Sequence, residues 1–480
     1  MSISNIRKTR LKKLDTIKKA GVNPYPIKSK RTHFVEQALA GFESLLRAKI
    51  KVSLVGRIRV VREHGGSTFL HFEDGTGGMQ AYIKKDKVGL KNYKFFLDNF
   101  DVGDFIEIAG FLFKTKRGEK TIEVVSFKML AKSLLPLPEK WHGLKDVEER
   151  FRKRYLDLIM NQEVKDKFKM RSKIIQELRC ILSDQGFLEV ETPILQPIPG
   201  GALAQPFKAH LNALNLDLYL RVAPELYLKR LLVGGFEKIY EIGRCFRNEG
   251  IDKHHNPDFT MLELYYAYQD RDRLMKFTEQ IIIDLLKKVK KTNQISYQGK
   301  NINFKAGWRR ISFYSLIKKY CNFDIRKASE ADLRKKLLIL GVKVSKKEYK
   351  YHLLDELYKK ACRPNLIQPT FVVDHPVEMA VLAKAKEGDT KYADRFQLVV
   401  GGIELVNAFS ELNDPLEQKK RLEFKKISSE RRDKDFLEAL EYGMPPTAGL
   451  GMGIDRLAVL LTDSHSLREA ILFPTMKPKK

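Results

Sequence analysis

Five residues in the middle of the chain have types and spacings suited to binding a phosphorylated ligand. Arg247 and Glu249 are two residues apart, and Phe259, Glu263 and Tyr265 follow a polar loop at spacings of four and two. Alternate residues of an extended chain lie on one face, so we expect each group to project together from a strand. The hairpin then presents a guanidinium, two carboxylates, a phenol and an aromatic ring to one cavity. This set suits a ligand with a phosphate, an aromatic base and an amine.

A second candidate site is the glycine-rich run 449–456, which ends at Arg456. Its glycines alternate, so it lacks the GxGxxG spacing of a dinucleotide-binding turn, and no βαβ pattern surrounds it. Glycine at these positions allows the backbone to approach a nucleotide or a neighbouring helix closely. Arg456 follows Gly453 by three residues and precedes an apolar helical segment, so its guanidinium is a candidate phosphate ligand.

Three segments resemble the signature motifs of the class II aminoacyl-tRNA synthetases. Residues 184–193 are similar to motif 1, residues 244–268 to motif 2 and residues 449–461 to motif 3, in the order typical of that class. Segments 221–230 and 407–414 resemble the members of the class that are specific for lysine. The similarity covers all but about the first 50 residues. It implies an ATP-dependent ligase that activates L-lysine and transfers it to tRNA(Lys).

The resemblance also implies an ATP site. In the expected reaction the amino-acid carboxylate attacks the α-phosphate and pyrophosphate departs, so catalysis rests on positioning and on cations. Arg247 is expected to bridge the carboxylate and the α-phosphate, and Arg456 to hold the γ-phosphate. Phe259 is expected against adenine, Glu249 at its amino group and His255 near the phosphates. The other implied ATP-binding residues are Asn256, Glu404 and Gly453.

A lysine substrate requires acids in its pocket. Its ammonium loses its proton when it leaves water unless carboxylates replace the solvent. Glu225 and Glu411 stand in largely apolar, strand-like contexts, where unpaired acids are unfavourable. The resemblance implies that Glu225, Glu411 and Tyr265 hold the ε-ammonium. It assigns the α-amine to Glu263 and the Gly201 backbone, and the carboxylate to Arg247 and Asn407, with Phe409 on the same strand face.

Magnesium is the implied metal, with Glu404 and Glu411 as carboxylate ligands. Gln397 stands where the family has a further glutamate, and its amide oxygen can coordinate Mg²⁺ but supplies no charge. The alternative is that a water takes its place and Gln397 lies outside the coordination sphere. The chain departs from the family pattern at other positions as well, which are Ser126, Gln205 and the pair Ala380-Val381.

Residues 50–132 have the pattern of a small β-barrel. Five short β-rich runs, at 52–61, 68–72, 79–83, 105–113 and 121–129, are separated by turn signals, with a helical insert after the third. This order suits an OB-fold, which the resemblance makes the anticodon-binding domain. Phe69 and Gln80 are its expected base contacts, by stacking and by hydrogen bonding. A purely structural barrel with Phe69 in its core is the alternative.

The expected fold class is α+β, with the barrel followed by a catalytic domain at 147–480. That domain is expected to contain a mixed, mostly antiparallel sheet flanked by helices, a helical insertion at 271–360 and a homodimer interface at motif 1. Residues 133–146 are expected to form a linker. Residues 1–49 contain twelve Lys or Arg against three acids and a helical stripe of apolar residues. This arm either contacts tRNA or is a solvated helix.

Composition excludes several classes of protein. The net charge of +29 and the pI near 9.7 fit a polyanionic partner, or simply a solubilising surface, and do not distinguish RNA from DNA or membrane. The resemblance favours tRNA over DNA. Four widely spaced cysteines without a CxxC pair argue against zinc ribbons and favour a reducing cytosol. No apolar run of membrane-spanning length and no signal-peptide core is evident, so we expect a cytoplasmic protein.

Three other functions remain as alternatives. A relative that charges aspartate or asparagine is disfavoured by Glu225 and Glu411, because those substrates carry no side-chain cation. A lysyl ligase that modifies protein would resemble the catalytic domain alone, and the barrel at 50–132 argues against it. A non-catalytic RNA-binding protein would not need the site residues Arg247, Glu263 and Arg456.

Overall fold

The computed structural model describes residues 2–138, 146–201, 204–253, 255–345, 348–424 and 433–479. The chain divides into two compact units, Met1–Lys145 and Asp146–Lys480. The linker expected at 133–146 falls at this division, and residues 139–145 lie outside the described part of the chain. Within the described ranges no helix combines the length and the apolar character that crossing a membrane requires.

The first unit is a closed five-stranded barrel preceded by three helices. The helices are α1 Ile3–Lys19, α2 Val35–Ala40 and α3 Phe42–Arg47. The strands are β1 Val52–His64, β2 Ser67–Glu73, β3 Gly78–Lys84, β4 Phe105–Lys114 and β5 Lys120–Ala131, with α4 Lys85–Val88 and α5 Leu90–Asn99 between β3 and β4. Their order around the barrel is β1-β2-β3-β5-β4. The expected OB-fold with its helical insert is confirmed.

Helix α1 is fastened to the barrel by a buried arginine. Arg10 donates hydrogen bonds to the carbonyl oxygens of Val102 (2.9 Å), Ser133 (3.1 Å) and Leu135 (2.9 Å). Leu14 and Ile17, on the same face, are also buried. The apolar stripe of the arm therefore packs against the barrel, and most of the other basic side chains of α1 remain exposed.

Strands β2 and β3 turn aromatic and amide side chains outward. Buried and half-buried residues alternate along β2, and Phe69 lies on the half-buried face. It is paired across the strands with Tyr82, with ring centroids 4.6 Å apart, and His71 is paired with Gln80. Phe69 is thus outside the barrel core, which removes the core alternative for this residue.

The strands of the second unit are β6 Leu188–Glu189, β7 Leu195–Gln196, β8 Lys208–Leu211, β9 Leu216–Leu220, β10 Lys238–Phe246, β11 Asp258–Ala267, β12 Gln294–Tyr297, β13 Lys300–Asn303, β14 Arg309–Ser312, β15 Thr370–Val373, β16 Ala385–Lys386, β17 Asp389–Ala393, β18 Arg395–Val400, β19 Ile403–Ser410 and β20 Thr447–Gly453. Eight of them form the main sheet, in the order β14-β15-β18-β19-β20-β11-β10-β6. The pairs β6–β10 and β14–β15 are parallel and the other neighbours are antiparallel. The expected mixed, mostly antiparallel sheet is confirmed.

Helices pack against both faces of this sheet. They are α6 Val147–Arg152, α7 Arg154–Met160, α8 Gln162–Asp184, α9 Glu225–Val233, α10 Arg271–Lys290, α11 Phe313–Cys321, α12 Glu330–Ile339, α13 Lys350–Leu357, α14 Pro415–Phe424, α15 Lys434–Glu441, α16 Ile454–Leu461 and α17 Leu467–Ala470. The main hydrophobic core joins α8, α10 and α16 to the strands, through residues such as Leu178, Leu285 and Leu457. On the opposite face α9 and α15 pack beside Ile239 and Tyr265, α11 to α13 pack beside Val372 and Val399, and a cavity opens on the central strands.

The sequence predicted a helical insertion at 271–360, but this segment is only partly helical. Besides α10 to α13 it contains the hairpin β12–β13 and the strand β14. Gln298 and Gly299 both have positive φ (49° and 72°), as a two-residue hairpin turn of type I′ requires. The prediction was wrong because these strands are short and lie between lysine-rich segments of helical composition.

Candidate active site

A cavity of about 590 Å³ opens on the central strands of the second unit. It is lined by every residue that the sequence assigned to ATP, to lysine or to a metal: Gly201, Glu225, Arg247, Glu249, His255, Asn256, Phe259, Glu263, Tyr265, Gln397, Glu404, Asn407, Phe409, Glu411, Gly453 and Arg456. The two barrel residues, Phe69 and Gln80, belong to the other unit. The cavity therefore gathers segments separated by more than 200 positions in the chain.

The sheet register sets the cavity residues in transverse rows. Phe409 of β19 is paired with Gly449 of β20, which is paired with Tyr265 of β11. In the adjacent row Asn407 is paired with Gly451, and Gly451 with Glu263. Residues opposite each other in an antiparallel pair share a face, so both rows project into the cavity.

The glycines of β20 make room for these side chains. A Cβ on Gly449 would overlap the carboxylate of Glu411 and approach the Tyr265 ring to 2.6 Å, and one on Gly451 would lie 3.0 Å from Met261. Side chains at positions 449 and 451 would occupy the space in which the residues of the cavity now lie. The sequence correctly indicated close approach at this run, but its neighbours are acidic and aromatic side chains from β11 and from the end of β19.

Three buried carboxylates meet at one end of the cavity. Glu225, Glu263 and Glu411 are each less than a tenth exposed. Lys229 lies among them, because its Nζ is 2.8 Å from Glu225 Oε1 and also pairs with Glu411. The Tyr265 hydroxyl donates to Glu263 Oε2 at 3.0 Å. We take this end, with these four charged residues, as the acidic pocket.

Burial perturbs the protonation of the acidic pocket. Burial and the nearby Glu225 raise the pKa of Glu263 to about 8, against the opposing effect of Tyr265 and Arg247. Burial raises the pKa of Glu411 well above its ordinary value in spite of Lys229. Burial alone would lower the pKa of Lys229, but Glu225 and Glu411 outweigh it and raise that pKa. The pocket is therefore poised to release protons when a cation enters.

The other end of the cavity carries positive charge and an aromatic ring. The Arg247 guanidinium lies 5.0 Å from the centroid of the Phe259 ring, and its Nε is buried without a hydrogen-bond partner among the described residues. Arg456 donates to the carbonyl oxygen of Glu404 at 3.0 Å. Gly453 precedes α16, whose first N–H groups add partial positive charge. This end is suited to phosphates.

Asn407 is held by an arginine that the sequence analysis did not single out. The Arg395 Nε donates to Asn407 Oδ1 at 2.8 Å, which leaves the Asn407 amide nitrogen as a donor toward the cavity. Arg363 and Lys359 also line the cavity and were missed, and Arg363 lies 3.4 Å from Glu404. Lys229 was missed too, although its spacing of four from Glu225 is a pattern for a helical ion pair.

Two local expectations were wrong. Strand β10 ends at Phe246, so Arg247 and Glu249 reach the cavity from the following loop, where Glu249 is exposed. Glu225 is the first residue of helix α9 and is not in a strand. A carboxylate there is favoured by the partial positive charge of the helix N-terminus, which the apolar sequence context does not reveal.

One member of the expected metal set, Glu411, does not fit with the others. Glu404 is near the start of β19 and Glu411 directly follows its last residue, roughly 20 Å away at the rise of an extended strand, so one ion cannot join them. Glu411 belongs to the acidic pocket. Gln397 contacts His375, whose Nε2 is 3.3 Å from its Oε1. Burial, together with Arg395, holds the pKa of His375 well below its ordinary value, which favours the neutral ring.

The comparisons with known proteins agree over the whole chain. The family described as tRNA synthetases class II (D, K and N) matches residues 146–477, and the OB-fold nucleic acid binding domain matches residues 52–130. Proteins named lysine–tRNA ligase are similar over almost their full length. Those of Carboxydothermus hydrogenoformans and Pelotomaculum thermopropionicum are 47% and 48% identical, covering 99% and 100% of this chain and 99% and 96% of their own. That of Thermotoga maritima is 45% identical, covering 100% of this chain and 97% of its own.

The fold and the site together define a class II aminoacyl-tRNA synthetase of the group that includes the aspartate, lysine and asparagine enzymes. Both units of such an enzyme are present, in the order that the relatives have them. Within the group the chain belongs to the lysine–tRNA ligases, ATP-dependent enzymes with lysine, ATP and tRNA as substrates.

We predict that lysine binding strengthens as the pH rises from 6 to 8. Glu263 has a pKa of about 8 in the free enzyme, so below that pH it is protonated and must lose its proton before it can pair with an ammonium. The affinity should fall about tenfold for each pH unit below 8. Calorimetry in buffers of different ionisation enthalpy measures the protons released on binding. Glu263→Gln is the control, since it should reduce this release, with Glu411 as the remaining source of protons; a wild-type enzyme that releases none at pH 7 contradicts the prediction.

Proposed function

We propose that the acidic pocket recognises both ammonium groups of lysine. Glu225, Glu411 and Tyr265 hold the ε-ammonium, and Glu263 with the Gly201 backbone holds the α-amine. The observation that carries this assignment is the burial of three carboxylates around one resident cation, Lys229. An anionic or neutral substrate side chain would leave these acids without a counter-charge, which is unfavourable in a buried site. Aspartate and asparagine are therefore poor fits.

Arg247 and Asn407 hold the lysine carboxylate in this proposal. Arg247 lies at the phosphate end but near enough to Glu263 to oppose the rise in its pKa, and its planar fork can bond a carboxylate and an α-phosphate together. Asn407 presents its amide nitrogen, because its oxygen already accepts from Arg395. The carboxylate is thus aligned with phosphorus for attack.

ATP occupies the other end. Phe259 stacks on adenine, Glu249 accepts from its amino group, and Asn256, His255 and Arg456 lie along the phosphates, as their positions on the cavity wall support. A lysine carboxylate oxygen attacks the α-phosphorus, the bond to the β-phosphate oxygen breaks, and pyrophosphate leaves. The nucleophile is already an anion, so no base is needed. The 3′-terminal hydroxyl of tRNA then attacks the lysyl carbonyl, and AMP departs with the bonding electrons.

A magnesium ion fits the phosphate end with one carboxylate of the chain. Mg²⁺ is usually held by one or two carboxylates, substrate phosphates and waters. Glu404 supplies that carboxylate, and the Gln397 oxygen is a neutral donor beside it. When bound, the ion neutralises the charge on the phosphates. Among the described residues no group of three or more His, Cys, Asp or Glu is arranged for a metal, which agrees with a site completed by ATP.

The barrel reads the anticodon in this proposal. Phe69, His71, Gln80 and Tyr82 form an outward-facing patch on β2 and β3, the strands that commonly bind oligonucleotides in OB-folds. Unpaired bases stack on such rings, and an amide discriminates their edges. Phe69 and Gln80 are the contacts expected from the sequence.

The enzyme acts as a homodimer through motif 1. Several apolar side chains next to that motif are exposed in the single chain, notably Leu188 (50%), Ile194 (44%) and Leu195 (45%). An exposed apolar group of this kind marks an interaction surface. We also place the enzyme in the cytoplasm, where tRNA is charged for translation, with neither DNA nor membrane as a partner.

The first test of the proposed site is Glu411→Gln. The change keeps the shape but removes one charge, so lysine activation should lose about 2–4 kcal/mol of transition-state binding. ATP–pyrophosphate exchange with each of the twenty amino acids measures both specificity and rate. Glu438→Gln, an exposed acid on α15, is the matched control. An unchanged kcat/KM for lysine in Glu411→Gln would exclude Glu411 from the ammonium site.

A second test separates the two units. Phe69→Ala should weaken tRNA charging by about 1–3 kcal/mol, the value of one stacked base, and leave tRNA-independent pyrophosphate exchange unchanged. Phe111→Ala removes a more exposed ring from β4 of the same barrel and is the control. If Phe69→Ala impairs both reactions equally, the ring supports the fold and does not read the anticodon.

A third test concerns the metal. Gln397→Glu should lower the Mg²⁺ concentration for half-maximal exchange, because a carboxylate adds charge beside Glu404 and can still accept from His375. Glu404→Gln should raise that concentration. A requirement that stays the same or rises in Gln397→Glu would place residue 397 outside the metal site.

A further inference from the structure

One positive charge of the acidic pocket has no role in the contacts proposed for the substrate. Lys229 has no exposed surface, and its ammonium reaches Glu225 and Glu411 from behind the cavity wall. It lies one helical turn after Glu225 on α9. The Nζ of Lys229 is 5.5 Å from the centroid of the Phe409 ring, which faces the cavity. The electron-rich face of the ring favours the charged form of the lysine. Lys229 thus touches the carboxylates that touch the substrate.

The charges of the pocket and of the substrate can be counted. Glu225, Glu263 and Glu411 contribute −3 when ionised, and Lys229 contributes +1, so the sum is −2. Lysine brings two ammonium groups, and its carboxylate is assigned to Arg247. A buried site that carries more negative charge than its ligand neutralises keeps a proton on one acid instead. With Lys229 in place, the count matches lysine.

We propose that Lys229 is a positioning residue for lysine recognition, which neutralises one of three buried carboxylates and leaves a pocket matched to a substrate with two ammonium groups. The inference rests on the substrate roles proposed above for Glu225, Glu263 and Glu411. Lys229 also orients two of them. Its ammonium draws Glu225 Oε1 and Glu411 Oε2, and Glu411 Oε1 remains buried without a hydrogen-bond partner among the described residues. That oxygen is available to the substrate.

All the charged groups around Lys229 enter this balance. Glu225 faces it from α9 and Glu411 from the end of β19. Glu263 and Tyr265 of β11 adjoin them, since Tyr265 donates to Glu263 and lies against Gly449 with Glu411. A purely structural role is the competing explanation, in which the ion pairs only fasten α9 to the sheet. The two explanations predict different KM values for lysine when one negative charge, that of Glu225, and the positive charge of Lys229 are removed together.

The decisive comparison is Glu225→Gln against Glu225→Gln/Lys229→Met. The single change leaves the pocket at −1, one charge short of lysine, and should raise the KM for lysine tenfold or more in pyrophosphate exchange. The added Lys229→Met restores −2 and frees Glu411 for the substrate, so the KM should fall again severalfold. If Lys229 only fastens the helix, the second change raises the KM further, and the proposal is overturned.

Single variants test the protonation directly. Lys229→Met should raise the lysine KM at pH 7, leave the ATP KM unchanged, and move the pH at which the lysine KM levels off upward by a unit or more. Lys229→Arg keeps the charge and should restore the wild-type profile. Arg230→Met is the matched control, because Arg230 pairs with Asp433 and Asp435 and is not part of the cavity wall.

The outcomes separate this proposal from the proposed function. If Glu411→Gln impairs lysine activation but the lysine KM of Lys229→Met follows the wild-type pH profile, the role of Lys229 is refuted and the substrate contacts stand. If Glu411→Gln has no effect, the substrate contacts are refuted and the role of Lys229 with them. Should Lys229→Met not fold alone, the double variant, which removes one charge of each sign, carries the test. Glu225→Gln/Lys229→Gln replaces that double variant if methionine prevents folding.

Discussion

The burial of three carboxylates in one pocket is the constraint on which the rest of this site depends. Removing one carboxylate from water is unfavourable, and three together repel one another. The protein offsets this with a lysine from the adjoining helix, a tyrosine hydroxyl and the N-terminus of α9. The remaining cost of burial and the repulsion between the carboxylates raise the pKa of Glu263 and Glu411. In the free enzyme the buried carboxylates therefore lack enough positive charge. An amino acid with two ammonium groups supplies that charge, which is the physical basis of specificity for lysine.

The sheet supplies the geometry that the charges require. Strand β20 lies between β19 and β11, and its glycines at 449, 451 and 453 carry no side chains into the cavity. The acids and rings of the neighbouring strands can then lie across it at fixed spacing. Since side chains alternate between faces, a slip of one residue in either pairing would turn the whole set toward the hydrophobic core. The hydrogen-bonded register of β11, β19 and β20 thus determines which side chains face the substrate, and with them the specificity.

The sequence predicted the barrel, the central sheet and about half of the residues that line the cavity, because strand alternation and the motifs are local signals. What it missed depends on tertiary contacts. Lys229 was not singled out from the sequence, and only the fold places it between Glu225 and Glu411. Arg395 acts through Asn407 on a neighbouring strand. Glu411 was misassigned to a metal because sequence proximity to Glu404 does not reveal the length of an extended strand. The hairpin at 294–303 was missed because its short strands lie between segments whose composition is typical of helices.

The position of β20 in the chain has a consequence for biosynthesis. This central strand begins at Thr447, so every other strand of the sheet must leave the ribosome before it can insert between β11 and β19. Until then β11 and β19 lack the strand that joins them. Such pairing between distant segments is slow compared with local folding. A growing chain of this enzyme therefore cannot hold the complete site before β20 has been made and has paired with both of its neighbours.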